Sequence, residues 1–136
     1  MYNILANLIR LFHIIIVLFI IVAPFTRVPS ILVLHITFSI CLFAHWNANS
    51  NICSLSLLES QLRGIEYTNT FTHDFISPIY DIQDKTWGNV SYYTTLVLMC
   101  ISILMLYRSG AVGKAYKAFN TPGTFKERLD RVLMSL

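Results

Sequence analysis

Residues 4 to 23, "ILANLIRLFHIIIVLFIIVA", are a run of Ile, Leu, Val and Phe carrying a single charge, Arg10. A hydrocarbon core about 30 Å thick is crossed by about 20 apolar residues in a helix. A chain of 136 residues has no soluble core that could enclose such a run on every side. Two further blocks, Ile31 to Trp46 and Tyr92 to Tyr107, reach spanning length when extended by flanking residues such as Val28 and Val90. Charged residues make up only 12% of the chain, against about a quarter in soluble domains. The expectation is an all-α, polytopic integral membrane protein. It has three spans at about 4–23, 28–46 and 90–107, and a polar loop with a short extramembrane amphipathic helix at 47–89. These form a membrane domain, 1–107, followed by a basic amphipathic tail, 108–136.

The first run reads as a retained helix. It is longer than the apolar core of a secretory signal, and "VAPFTRVPS" lacks a small-x-small cleavage pattern. Pro24 and Pro29 cannot continue a helix, so "APFTRVPS" reads as a tight turn between two antiparallel spans, with Arg27 at its tip. The three cysteines are too few for a disulfide framework. Cys41 and Cys100 fall within spans and read as small buried hydrophobes, whereas Cys53 lies outside them.

Charge sets the orientation. The loop carries Glu59, Glu66, Asp74, Asp81 and Asp84 against Arg63 and Lys85, while the tail carries Arg108, Lys114, Lys117, Lys126, Arg128 and Arg131 against Glu127 and Asp130. The positive-inside rule then places the tail and Arg27 on the cytoplasmic or equivalent side, with the acidic loop opposite. Asn89-Val90-Ser91 is formally a glycosylation sequon, too near the third span for modification to be expected. In the tail, Thr124 and Glu127 have capping-box spacing, so a helix should begin there. Phe125, Leu129, Val132, Leu133 and Leu136 then share one face. Lys114, Lys117, Lys126, Arg128 and Arg131 are therefore candidates for contact with a membrane surface or a partner.

Intramembrane ionisable groups are functional hypotheses by default. Imidazoles suggest haem or metal ligation, with His13, His35, His45 and Cys41 as candidate ligands. Spacing argues against it. His13 lies roughly 16 Å of helix before Pro24 and His35 roughly 9 Å after Pro29, so their depths differ by several ångströms. His35 and His45 are roughly 15 Å apart on one helix. Cys41 and His45, one turn apart, lack a third and fourth ligand. Neutral imidazoles bonding between helices is the favoured reading, and no cofactor is expected. Arg10 reads as a snorkelling or paired side chain, with a lipid-phosphate contact as the sharper alternative.

The stretch "HWNANSNICSLSLLESQLRG", 45 to 64, is mostly explained by local physics. His45 and Trp46 suit a membrane interface, "NANSN" is turn chemistry, and Ser56 with Glu59 has capping-box spacing before Leu57, Leu58 and Leu62. Gly64 is a suitable stop, and Glu59 and Arg63 stand at i,i+4. No nucleophile is set beside a base, and there is no phosphate loop or zinc set.

"CSLSLLESQLRG" resembles the Cys-x-Leu-Ser/Thr-x-x-Glu-x-x-Leu-Arg signature of a family of small polytopic membrane proteins of unknown function, known in bacteria. His13, Leu34-His35 and "FTHDFISPIY", 71 to 80, are similar to that family's further landmarks, so the likeness covers roughly residues 8 to 80. Ser54 stands where the family often has Pro. The resemblance implies that Cys53, Glu59, Arg63 and His73 belong to a common structural polar network, and it implies no activity. The "HW…N…N-x-C" variant is also similar to small membrane proteins of large double-stranded DNA viruses. The resulting expectation is a non-enzymatic membrane component that scaffolds or anchors a larger membrane-associated assembly, a virion membrane or minor capsid component being one example. Its partners are the lipid bilayer and other protein subunits, with no nucleic acid. The alternative is a haem- or metal-binding redox subunit.

Overall fold

The three apolar blocks all fold as long helices in the computed structural model, which describes residues 2–50, 53–65 and 84–135. Helix α1 spans Tyr2–Val22 and runs into a single 3-10 turn, Ala23–Phe25. Helix α2 spans Pro29–Ala48, and α4 spans Asp84–Arg108. The stretches Ile4–Phe25, Pro29–Ala48 and Gly88–Arg108 are each long and apolar enough to cross a membrane. Helices long and apolar enough to span thus lie where the sequence places the spans, within about two residues at their ends. Three shorter helices, α3 (Ser54–Arg63), α5 (Ala111–Asn120) and α6 (Phe125–Ser135), complete the six seen among the described residues.

The two prolines act at the turn as their chemistry requires. Pro24 sits buried in the 3-10 turn, and Pro29 occupies the first turn of α2, where its missing N–H is no loss. Arg27 adopts a left-handed backbone conformation (φ 57°), and the Thr26 hydroxyl donates to the Ala23 carbonyl. The chain therefore reverses within a few residues.

Helices α2 and α4 pack closely and antiparallel. At one end, the Tyr92 ring packs at a tilt against Phe43 with ring centroids 4.8 Å apart, and its centroid lies 6.1 Å from that of Trp46. Toward the other end, Ser102 meets His35. Small buried residues, Ser39 on α2 and Thr95 and Ser102 on α4, let the backbones approach. Because α4 runs back toward the Pro24–Pro29 turn, Arg108 and the tail emerge at the same end of the bundle as Arg27.

The apolar core is small. Ala6, Ile20, Leu32 and Ala111 are buried, while Leu8, Leu11, Ile15 and Leu18 of α1 are more than half exposed. Outward-facing Leu and Ile suit a helix surrounded by lipid tails, where no hydrophobic effect drives them inward. The tail doubles back as a hairpin, with α6 packed along α5. Thr124 N–H donates to Glu127 Oε2 (3.0 Å) and Glu127 N–H to Thr124 Oγ1 (3.4 Å), closing the expected capping box.

Candidate functional site

The most concentrated polar chemistry lies between α1 and α3. Helix α3 packs along the N-terminal half of α1. Asn7, Arg10 and His13 recur every third residue on α1, and Cys53, Glu59 and Arg63 run the opposite way along α3 beside them. Arg63 Nη2 donates to Asn7 Oδ1 at 2.8 Å. Arg10 Nε donates to Glu59 Oε1 at 2.6 Å, and Arg63 Nε donates to the same oxygen at 2.9 Å. Cys53 Sγ lies 4.0 Å from His13 Nε2.

Helix α3 is amphipathic in reverse. Its buried face is polar, with Ser56, Glu59 and Ser60 nearly or wholly enclosed, while Leu57 and Leu58 are 40% and 45% exposed. A soluble helix of this composition would turn its leucines inward. Here the inward face exists to meet the polar stripe of α1. The helix also starts earlier than the Ser56–Glu59 spacing suggests. Its N-cap is Cys53, with no side-chain cap bond, and Glu59 is a full turn inside. The capping-box reading of Glu59 is therefore corrected, because two guanidinium groups hold its carboxylate more strongly than a helix N-terminus could. Gly64 ends the helix in the left-handed conformation (φ 66°), accessible to a residue without Cβ.

Glu59 is fully enclosed, whereas the side chains of Arg10 and Arg63 remain 29% and 21% exposed. The anion is inside and the cations reach outward, so the arginine stems shield the carboxylate. Glu59 Oε2 makes no hydrogen bond among the described residues. Burial raises the pKa of the Cys53 thiol. The hydrogen bond with His13, the backbone N–H groups of Ser56 and Leu55 and the charge on His13 outweigh that effect. The result is a value of about 7 against an ordinary 9.0.

The other histidines serve separate joints. His35 is fully buried and bridges three helices: Nε2 lies 3.1 Å from the Ile20 carbonyl and Nδ1 lies 2.9 Å from Ser102 Oγ. A carbonyl can only accept, so Nε2 carries a proton; when the ring is neutral, Nδ1 accepts from the Ser102 hydroxyl. His45 receives the Ser54 N–H at Nε2 (3.3 Å), and its Nδ1 faces the Asn49 carboxamide at 3.2 Å. Cys41 on α2 and Cys100 on α4 are both exposed, which corrects the expectation that they are buried: each lies on a helix face turned away from the neighbouring helices. Among the described residues no three His, Cys, Asp or Glu side chains group as a metal-ion site; His13 and Cys53 are the adjacent pair of potential donors. His73 lies outside the described residues, as does "FTHDFISPIY".

In the tail, two of the five candidate cations are engaged locally. Arg131 donates from Nη2 to the Thr121 carbonyl (2.9 Å), and Arg128 Nε donates to the Gly123 carbonyl (3.0 Å), so both brace the α5–α6 turn. Lys114, Lys117 and Lys126 are exposed.

The sequence pairs Glu59 with Arg63 at i,i+4 and suggests a paired Arg10, but it does not name Glu59 as the partner of Arg10 and gives no part to Asn7 or Ser102. The three-residue recurrence of Asn7, Arg10 and His13 in an otherwise apolar run was the available signal.

This architecture defines a multi-pass helical membrane protein with a short polar helix strapped to its first span. Residues 3–109 match the family described as "Protein of Unknown function (DUF2784)", and the chain belongs to that family. The match takes in all three spans and α3, and stops where the α5–α6 hairpin begins. No curated protein and no solved structure matches the chain.

Proposed function

We propose that the protein is a non-enzymatic integral membrane component that anchors or scaffolds a larger membrane-associated assembly. The observation that supports this reading is the placement of its polar groups. Arg10, Glu59, Arg63, His35 and His45 each bond from one helix to another. Groups held in this way act as joints between helices. They fix the fold and leave the outer surfaces to make the contacts that matter.

The charge distribution supports placing the tail and Arg27 on the cytoplasmic or equivalent side. A virion's internal membrane with its capsid is one assembly of this kind, and the His45-to-Cys53 stretch is the feature that points there. A second reading, a haem- or metal-binding redox subunit, draws on the adjacency of His13 and Cys53. It is the weaker one, because axial ligation by His35 would require breaking one of the two ring contacts that join the spans.

Gentle detergent extraction followed by native electrophoresis and an oxidised-versus-reduced absorption spectrum tests both. The scaffold reading expects co-migration with other membrane proteins and a featureless visible spectrum. A stable free monomer would overturn it, and a Soret band or stoichiometric metal would put the redox reading in its place.

A further inference from the structure

We infer that the α5–α6 hairpin lies flat on an anionic lipid leaflet and clamps the third span to it. Four observations converge. Only Ser109 and Gly110 separate the last residue of α4 from Ala111, the first of α5. Gly110 takes the left-handed conformation (φ 71°) that turns the chain sharply at that corner. If α4 spans a bilayer, the hairpin is held at the level of the headgroups.

Each hairpin helix also leaves an apolar stripe unburied. On α5, Tyr116 is 70% exposed, and Val112 and Phe119 share its face; on α6, Phe125 and Leu133 are 73% and 63% exposed. Such stripes are what interfacial helices sink into the acyl boundary. The charge matches the surface proposed. Residues 111–135 hold five Lys or Arg and two Asp or Glu, a formal net charge of +3.

Among the described residues the side chains of Lys114, Lys117 and Lys126 make no hydrogen bond or ion pair, and all three are exposed, so they can meet lipid phosphates. The corner itself forms an open groove lined by Tyr107, Arg108, Val112 and Tyr116, aromatic and cationic groups of the kind that gather at headgroup level. The hairpin lies beyond the family match, which ends at residue 109. It is braced by its own capping box and by Arg131. Because it is tethered at the bilayer surface, lipid is the occupant its stripes meet first. The inference stands independently of the scaffold reading.

The test places the full chain, one copy per nanodisc, in discs of phosphatidylcholine or of phosphatidylcholine with a third phosphatidylglycerol. Amide exchange over 111–135 is then followed. Exchange should slow several-fold in the anionic discs, and 0.5 M salt should remove most of the difference. The exposed triple variant Lys114→Gln/Lys117→Gln/Lys126→Gln should lose it, at about fivefold in surface affinity per lysine. Phe119→Asp should release α5 while leaving exchange in α1, α2 and α4 unchanged. Equal exchange in the two lipids would overturn the inference. So would protection that appears only with two chains per disc or after adding other membrane proteins, which would assign the stripes to a second copy or to a protein partner.

Discussion

Arg10 of α1 and Glu59 of α3, 49 residues apart in sequence, meet through a 2.6 Å contact between Nε and Oε1. The carboxylate is fully enclosed and the guanidinium partly so. Removing the acid leaves two arginines facing each other without it. Glu59→Ala should therefore destabilise the protein by about 3 kcal/mol. Arg63→Ala should cost less, about 1.5 kcal/mol, the worth of one hydrogen bond to a charged group, since Arg10 still holds Glu59 Oε1. Denaturant titration in detergent gives both numbers, and similar costs for the two variants would show that Glu59 is not the centre of the cluster.

His35 links α1, α2 and α4 through the Ile20 carbonyl and Ser102. A double-mutant cycle with His35→Ala and Ser102→Ala should give a coupling of about 0.6 kcal/mol, the usual worth of a hydrogen bond between membrane helices. His35→Ala alone should cost more than Ser102→Ala, because it also orphans a carbonyl. Zero coupling would mean that the 2.9 Å contact contributes nothing to holding α2 on α4.

Cys53 should be the most pH-responsive thiol toward alkylation near neutrality. Its pKa is lowered to about 7, so the thiolate accumulates as pH rises through that value and the alkylation rate should rise with it. The same shift makes the folded state gain relative stability as pH increases from about 7 toward the ordinary value of 9.0. His13→Phe removes the imidazole and should move the midpoint up toward 9. Mass-spectrometric labelling across pH 5 to 10 reads this directly. A midpoint near 9 in the unaltered protein would show that His13 does not stabilise the thiolate.

Thr124 caps α6 by its bond to the Glu127 N–H. Thr124→Ala should cost about 1 kcal/mol of local stability and speed amide exchange in Phe125–Ser135 while α1, α2 and α4 are unaffected. Loss of protection in the spans would instead tie the tail to the stability of the whole bundle.

What could be read from sequence divides by distance along the chain. The spans, the proline turn, the Thr124 cap and the Gly64 stop are local, and each follows from a run length or a residue's backbone chemistry. Glu59 with Arg63 is local too, at i,i+4. Arg10 with Glu59 and His35 with Ser102 are not, because nothing in one segment names its partner in another. The Ser56–Glu59 spacing misleads for a related reason. Capping boxes and buried ion pairs draw on the same residue types, and tertiary contact decides between them. Helix α5 was hidden by the glycines flanking Ala111 and Val112, which break an apparent pattern without breaking the helix.

Helix α3 has consequences for biogenesis. With its serines and Glu59 turned inward and Leu57 and Leu58 outward, the segment has neither the length nor the uniform apolarity to enter a bilayer by itself. Its polar edge finds partners only once Asn7 and Arg10 are there to receive it. The first span emerges from the ribosome long before residue 54, so the order of synthesis supplies the receptor before the guest. A chain in which α1 is delayed or misoriented would leave Glu59 without the guanidinium of Arg10 that pairs with it in the folded protein.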